Sequence, residues 1–460
     1  MLDGVKQTIL YDQNAIYYGY PIEKLMEKAG EGIARVLIKK FGPGKRIGFF
    51  CGSGNNGGDG FATASFVNKV IKQRSKKTSD GIAEVFLVSS SGDIKTAEAR
   101  KNWEKFRGNK FESVRVKDIP DDFDVVVECL FGTGLNGKVR EPYKSVIQKL
   151  NKLKGEKVTI DIGAPGFKAK HNISMMFPKA LGAEVVDIGY PERLKELIGV
   201  GEVKVLNKPG ERSHKGDNGK LLIIGGSMEF FGALKLAVKT AGRVVDLVFV
   251  SSIAENNKLI DKLKTKVDNF ITVPEEKIPE YAKKVDTVLI GPGMGINDRT
   301  KNITNSLLKK FPSKKIVIDA DSLKVVDKKL LNKNCIVTPH HKEFEILFGV
   351  KATKENTKKM AKKYDCIVAL KGKTDYVASR EEFKINKTGN PGLTKGGTGD
   401  VLAGLIAALA CNNDMFLASC AGVFINGLAG DRLYKRNSYY YSASDLVKEI
   451  PKTFKWCEDY

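Results

Sequence analysis

Histidine is scarce in this chain, four in 460 residues, too few for a histidine-rich metal centre. The seven cysteines (Cys51, Cys129, Cys335, Cys366, Cys411, Cys420, Cys457) are scattered, odd in number and form no CxxC pair. That spacing excludes a zinc ribbon and a disulfide framework, and it suits a reducing cytoplasm. The first residues, Met1-Leu2-Asp3-Gly4-Val5-Lys6, lack the basic-then-apolar order of a secretion signal. The longest apolar run, Val401 to Cys411, is too short to span a bilayer, so a soluble cytoplasmic protein with no membrane partner is expected. Acidic residues are outnumbered, 54 against 77 Lys and Arg, for a net charge of +23. The lysines (Lys39, Lys40, Lys309, Lys310, Lys358, Lys359, Lys362, Lys363) are dispersed and not interleaved with aromatics along one stripe. With no recognisable nucleic-acid module, the charge reads as solvated helix faces, and nucleic-acid binding is not expected. Such a field still draws in phosphate-rich anions.

What is present is ordinary globular material: 42% apolar and 28% charged residues, long enough for two or three domains. Short β-branched runs alternate with helical patterns throughout, which predicts α/β layers on largely parallel sheets. Strands are expected at Arg46–Cys51, Glu84–Ser89, Asp124–Cys129, Lys157–Asp161, Val185–Ile188 and Val203–Leu206. Beyond these come Lys220–Ile224, Leu247–Val250, Thr287–Ile290, Lys315–Ile318, Cys335–Val337 and Cys366–Leu370, then a hairpin, Tyr376–Ser379 with Phe383–Asn386. A charged loop is expected at Arg74–Gly81, and the polar Pro-Gly break Asn207–Arg212 divides the chain into domains 1–207 and 208–460.

The C-terminal half carries Gly396-Gly397-Thr398-Gly399-Asp400 directly before an all-apolar helical stretch, Val401 to Ala410. Glycines at a buried helix N-terminus let backbone N–H groups approach an anion, making a phosphate cradle. Asp400 at its mouth is placed to take a proton from an attacking hydroxyl, or simply to cap the helix. Four further polar loops end expected strands: Gly291–Gly295, Asp319–Asp321, Thr338–Glu343 and Lys371–Thr374. Strand C-terminal ends are where open α/β sheets bind ligands, so one shared nucleotide site is expected.

With Ser213–Gly219, Gly226-Ser227, Gly232-Ala233 and Ala443–Leu446, this series from about Arg212 to Pro451 resembles the ribokinase-like superfamily. Within it, the closer resemblance is to the ADP- or ATP-dependent NAD(P)H-hydrate dehydratases. The resemblance implies phosphorylation of the 6-hydroxyl of hydrated NADH or NADPH, then phosphate loss to restore the dihydronicotinamide. It implies Asp400 as base, Ala233, Gly295 and His340 on the hydrate, and Lys371, Gly372, Lys373, Thr374, Asp375 and Gly399 on ADP or ATP. His340 reads equally as a hydrogen-bonding strand end, and Glu343 as a magnesium ligand or a solvated glutamate. Mg²⁺ is the ion that phosphoryl transfer calls for.

In the N-terminal half the strand Arg46–Cys51 is followed by Gly52-Ser53-Gly54-Asn55-Asn56-Gly57-Gly58-Asp59-Gly60 and a helical stretch from Phe61 to Gln73. Strand, glycine loop and helix is a phosphate-binding layout. A second loop, Phe131–Gly137, follows Asp124–Cys129, and Asp161 ends a third strand. With Leu25–Gly30 upstream, residues Gln7 to Leu206 resemble the NAD(P)H-hydrate epimerase domain. The resemblance implies exchange of the R and S hydrates with Asp161 as acid/base. It places Asn55, Asn56, Gly57, Gly58, Asp59, Gly132, Thr133, Gly134, Leu135, Asn136, Gly137 and Lys138 on the hydrate, and K⁺ on Asn56 and Glu128. The family shows Asp where Glu128 stands, and Asp-Ile-Pro-Ser-Gly where this chain reads Asp161-Ile162-Gly163-Ala164-Pro165-Gly166. Either the ion is held differently or its site is weakened.

The expected architecture is therefore a Rossmann-like three-layer α/β/α domain followed by a ribokinase-like α/β/α domain, in a bifunctional hydrate-repair enzyme that assembles as a homo-oligomer. Its partners are small molecules, the NADH and NADPH hydrates. The rival reading is a kinase of a small vitamin-precursor alcohol, its N-terminal domain a non-catalytic nucleotide-binding or scaffold module.

Overall fold

In this computed structural model, residues 2–74, 83–132, 137–256, 260 and 270–460 are described. Two compact units divide at Leu194/Lys195. Most of the expected loop Arg74–Gly81, from Ser75 on, lies outside the described residues.

The first unit is a seven-stranded parallel sheet. Its strands are β1 (Ile47–Cys51), β2 (Ala83–Leu87), β3 (Lys110–Phe111), β4 (Val125–Cys129), β5 (Glu156–Ile160), β6 (His171–Met175) and β7 (Glu184–Val186), in the order β3-β2-β1-β4-β5-β6-β7. β1, β2 and β4 are buried at every position, as strands covered by helices on both faces must be. The order reverses between β1 and β4, which opens a crevice at their C-terminal ends.

The second unit is a nine-stranded sheet in the order β10-β9-β8-β11-β12-β13-β14-β15-β16. The ranges are β8 (Lys220–Ile224), β9 (Leu247–Ser251), β10 (Phe270–Thr272), β11 (Thr287–Ile290), β12 (Lys315–Ile318), β13 (Cys335–Val337), β14 (Ile367–Leu370), β15 (Asp375–Ala378) and β16 (Phe383–Asn386). β8 to β14 are parallel; β15 and β16 add an antiparallel hairpin at one edge. The helix Thr398–Asn412 is buried along nearly its whole length, as its all-apolar sequence requires.

Three strands escape the sequence: β3, β6 and β10 are short or polar, and β3 is a two-residue edge. Val203–Leu206, expected as a strand closing the first unit, instead straddles the end of the helix Val200–Lys204, and it belongs to the second unit. Its neighbours explain why the boundary precedes the Pro-Gly break. Ile198 N–H donates to the Ile385 carbonyl at 2.9 Å, and Lys384 Nζ, on β16, donates to buried Glu202 at 2.9 Å. The helix after β1 also starts earlier than expected, at Asn55 and not Phe61. A Cβ on Gly57 would stand 1.9 Å from the Gly52 carbonyl oxygen, and one on Gly60 2.7 Å from Cys51 Sγ. These glycines therefore let the first turns of the helix lie directly on the sheet. Among the described residues no helix is long and apolar enough to cross a membrane.

Candidate active sites

The first site forms at the β1/β4 crevice. Asn56, buried in the first turn of its helix, donates from Nδ2 to the carbonyls of Phe131 (2.6 Å) and Ile160 (3.3 Å). It thereby ties the segments after β4 and β5 to the helix. Gly132 lies against it, a Cβ there standing 3.4 Å from Asn56 Cβ. Asn55 is exposed and accepts from Thr96 Oγ1 at 2.6 Å. Gly57, Gly58 and Asp59 are buried, while Gly137 and Lys138 are exposed. Thr133, Gly134, Leu135 and Asn136 lie outside the described residues.

Asp161 follows β5 with φ +68, a left-handed conformation costly for a residue with a Cβ. Its carboxylate Oδ1 accepts from Lys179 Nζ and, at 3.4 Å, from Met175 N–H. Burial and the nearby Asp161 and Asp12 charges hold the Asp59 carboxyl well above its usual range. Asp12, on the helix Gly4–Tyr17, is pushed up to about 7, by burial first. Lys179 and Asp12 carried no motif, and sequence reasoning missed both. Each comes from a segment made adjacent to Asp161 by folding.

The second site lies along the C-terminal ends of β8, β11, β12, β13 and β14, neighbours in the parallel part of the sheet. Gly291, with φ +123, must be glycine: a Cβ would stand 1.9 Å from the Asp319 carbonyl oxygen. Gly293 packs on Ala233, 3.1 Å from Cβ to Cβ were it alanine. Gly295 N–H donates to Asp321 at 2.9 Å. Between the two aspartates Ala320 sits at φ +50, a second strained residue directly after a strand. Asp319 is buried and accepts from Thr338 Oγ1 (2.7 Å) and Lys371 Nζ (2.9 Å).

Lys371 reaches the helix mouth, its Nζ 3.5 Å from where a Gly399 Cβ would be. Gly397 opens that helix at φ +95 and no side chain caps it; Thr398 N–H is taken by the Lys395 carbonyl at 3.3 Å, and the N–H groups of Gly399 and Asp400 are left to a ligand. Asp400 is therefore not a cap. It is half-buried, and its carboxyl is pushed up to about 7 by burial and by the negative charges of Asp319, Asp321 and Glu343, against Lys371.

The remaining residues expected there divide into two groups. Asp375 braces the turn, accepting from Gly372 N–H and Asn386 Nδ2 at 2.9 Å each. Thr374 is half-buried and Lys373 is exposed. His340 closes a capping box with Glu343: its Nδ1 accepts from Glu343 N–H at 3.3 Å, and its backbone N–H donates to Glu343 at 3.0 Å. The ring is about half exposed and can still meet a ligand.

A family model described as NAD(P)H-hydrate dehydratase matches residues 221–452, and one described as YjeF-related protein N-terminus matches residues 22–181. The bifunctional NAD(P)H-hydrate repair enzyme Nnr of Methanocaldococcus jannaschii is 38% identical, over 98% of this chain and 93% of its own. That of Archaeoglobus fulgidus is 36% identical, over 98% of both. The chain belongs to the bifunctional NAD(P)H-hydrate repair enzymes. A ribokinase-like superfamily protein from Enterococcus faecalis shares the second unit's fold, with 22% identity and a TM-score of 0.53 over 58% of this chain and 97% of its own.

Potassium, which the resemblance to other NAD(P)H-hydrate repair enzymes implies for Asn56 and Glu128, is matched at one of the two. Asn56 Oδ1 is buried without a hydrogen-bond partner, the state of an oxygen that a cation or water could satisfy. Glu128 gives both oxygens to the protein. Oε1 accepts from Leu130 N–H (2.7 Å), and Oε2 from Thr159 Oγ1 (2.6 Å) and Ala164 N–H (3.0 Å). The longer glutamate reaches donors, and Ala164 has no side-chain oxygen to offer. The described residues do not make the potassium site expected of this family, and Asp161 pairs with Lys179.

Magnesium is a different case. Among the described residues no group of three or more His, Cys, Asp or Glu side chains forms a metal cage. Magnesium needs none, because it binds through substrate phosphates with one or two carboxylates. Asp319, Asp321 and Glu343, whose charges Asp400 feels, fit that role.

Proposed function

We propose that this chain repairs hydrated nicotinamide dinucleotides at two separate sites, in a cytoplasmic setting. The second unit binds ADP or ATP at the open N-terminus of the helix Thr398–Asn412, with Lys371, Gly372, Lys373, Thr374 and Gly399 toward the phosphates and Asp375 holding their loop. Ala233, Gly295 and His340 face the hydrate. Asp400 takes the proton of the hydrate's 6-hydroxyl as that oxygen attacks the terminal phosphorus, and AMP or ADP leaves. The C6–O bond then breaks, phosphate departs, a proton is lost from C5, and the C5=C6 double bond of NAD(P)H returns. Asp319, Asp321 and Glu343 would hold magnesium, which would supply charge neutralisation of the phosphoryl oxygens. The observation that carries this reading is Asp400 itself. It is an uncapped, half-buried carboxylate poised near neutrality beside a lysine that a second carboxylate already holds. A base titrating near the working pH is the efficient one.

The first unit exchanges the R and S hydrates, with Asp161 as acid/base and the segments Asn55–Asp59 and Gly132–Lys138 around the ligand. The deciding experiment incubates the protein with mixed hydrate and either nucleotide, following dihydronicotinamide absorbance to completion. Full recovery is expected. Recovery that stops at the S fraction removes the epimerase, and no recovery removes the dehydratase.

A further inference from the structure

We propose that Lys179 is the positioning residue of the N-terminal site, its buried ammonium fixing one oxygen of Asp161 so that the other is presented to the hydrate. The proposal rests on the reading of this unit as the hydrate epimerase and names a residue beyond it.

Lys179 lies past β6, on the segment leading to β7. Its side chain is fully buried and that of Asp161 is 7% exposed. The lysine is held at both ends: its backbone N–H donates to Ser174 Oγ at 3.3 Å, and its Nζ to the Met175 carbonyl at 3.2 Å as well as to Asp161 Oδ1. Met175 N–H donates to that same Oδ1. Asp161 Oδ1 is thus fixed twice, while Oδ2 has no hydrogen bond among the described residues and is left for proton transfer. The Asp161 N–H, bonded to the Ile173 carbonyl at 2.7 Å, holds the strained backbone in place.

Charge leads to the same conclusion. Three carboxyl groups, Asp12, Asp59 and Asp161, meet one ammonium, from four different segments. One buried cation cannot balance three carboxylates, so the two not bonded to it keep their protons to higher pH. Asp12 and Asp59 are both pushed upward, by burial first, with Lys179 opposing the shift in each. The ammonium is bonded to the one carboxylate that the fold strains and aims. A buried ion pair rarely improves on apolar packing for stability, so its place here points to function.

The test uses the full chain with Lys179→Gln, Lys179→Met and Lys179→Arg. In Lys179→Gln and Lys179→Met, kcat for R/S exchange should fall at least about tenfold with KM little changed, the loss typical of an impaired acid/base group. Lys179→Arg should restore most of the rate. Dehydration of pure S hydrate should be unchanged throughout, which reports an intact chain. A readout free of activity is the ¹³C titration of the Asp12 carboxyl. It should lie near 7 in the parent, climb in Lys179→Gln and Lys179→Met, and stay in place in Lys179→Arg. Exchange with unchanged kcat in Lys179→Gln and Lys179→Met, or an Asp12 titration that does not move, overturns the proposal. If the parent shows no R/S exchange, the epimerase reading fails, and the Asp12 titration still decides whether Lys179 is the cluster's cation.

Discussion

At the N-terminal site a buried lysine bonds the carboxylate proposed as acid/base, Lys179 to Asp161. At the C-terminal site the lysine bonds a neighbour, Lys371 to Asp319, and Asp400 stays without a hydrogen bond of its own among the described residues. Both sites lie at the C-terminal ends of parallel strands, and both place a strained non-glycine residue there, Asp161 at φ +68 and Ala320 at φ +50. They differ in where the positive charge is placed. A carboxylate paired directly with an ammonium is held in one orientation. One surrounded by other carboxylates, their lysine already engaged, holds its proton up to about neutral pH. The second arrangement suits a base that must accept a proton from an alcohol and then release it.

The contrast is broken most directly by Asp400→Asn. Dehydration should fall by about 10²–10⁴, the usual contribution of a positioned base, while nucleotide affinity by calorimetry stays near the parent value. Near-normal turnover would place the base elsewhere. Asp161→Asn should lower R/S exchange by about a hundredfold and leave dehydration of S hydrate untouched. Equal losses in both reactions would mean that the two sites do not act separately.

Next in size is a pH effect. A base must be ionised, so dehydration should fall as pH drops through about 7. Asp319→Asn removes a charge that raises the Asp400 pKa and frees Lys371 to face it. The midpoint should therefore move down by about one unit, equivalent to about 1.4 kcal/mol. A pH–rate profile at saturating hydrate measures it, and an upward shift would reverse the assigned roles. The smallest effect should be potassium's. Replacing sodium with potassium should change R/S exchange by no more than about twofold, some 0.4 kcal/mol. Glu128→Asp with Ala164→Ser should make exchange more responsive to the ion. Strong dependence in the parent chain would show that Asn56 recruits a ligand other than those two.

Legibility differed between the two halves. In the second, each site loop carries its own signature: glycines where a Cβ would strike backbone, as at Gly291, and Lys371-Gly372 after an apolar strand. Strand, loop and chemistry are contiguous there, so local sequence locates them. In the first half the glycine run after β1 was legible as a site but misread as a loop. Gly57 is small because the Gly52 carbonyl just past β1 stands against it, and Gly60 because Cys51 on β1 and Cys129 on the neighbouring β4 do, so the second reason lies far along the chain. His340 shows the opposite limit. The ring was read as either a ligand contact or a strand-end partner, and folding employs it in a capping box while leaving its far edge exposed.

The sequence by itself determined the alternation of strands and helices, the buried helix behind Asp400, and the glycine and aspartate loops that end the strands. Each depends on residues close together in the chain, through periodicity, backbone freedom or helix-end chemistry. Only the tertiary structure decided where the charges pair. Lys179 reaches Asp161 because β5 and β6 are neighbours, Lys371 meets Asp319 because β12, β13 and β14 run side by side, and Glu128 finds the Ala164 N–H because β4 pairs with β5. Electrostatic strength depends on distance and burial, and neither is written in the order of residues along a chain.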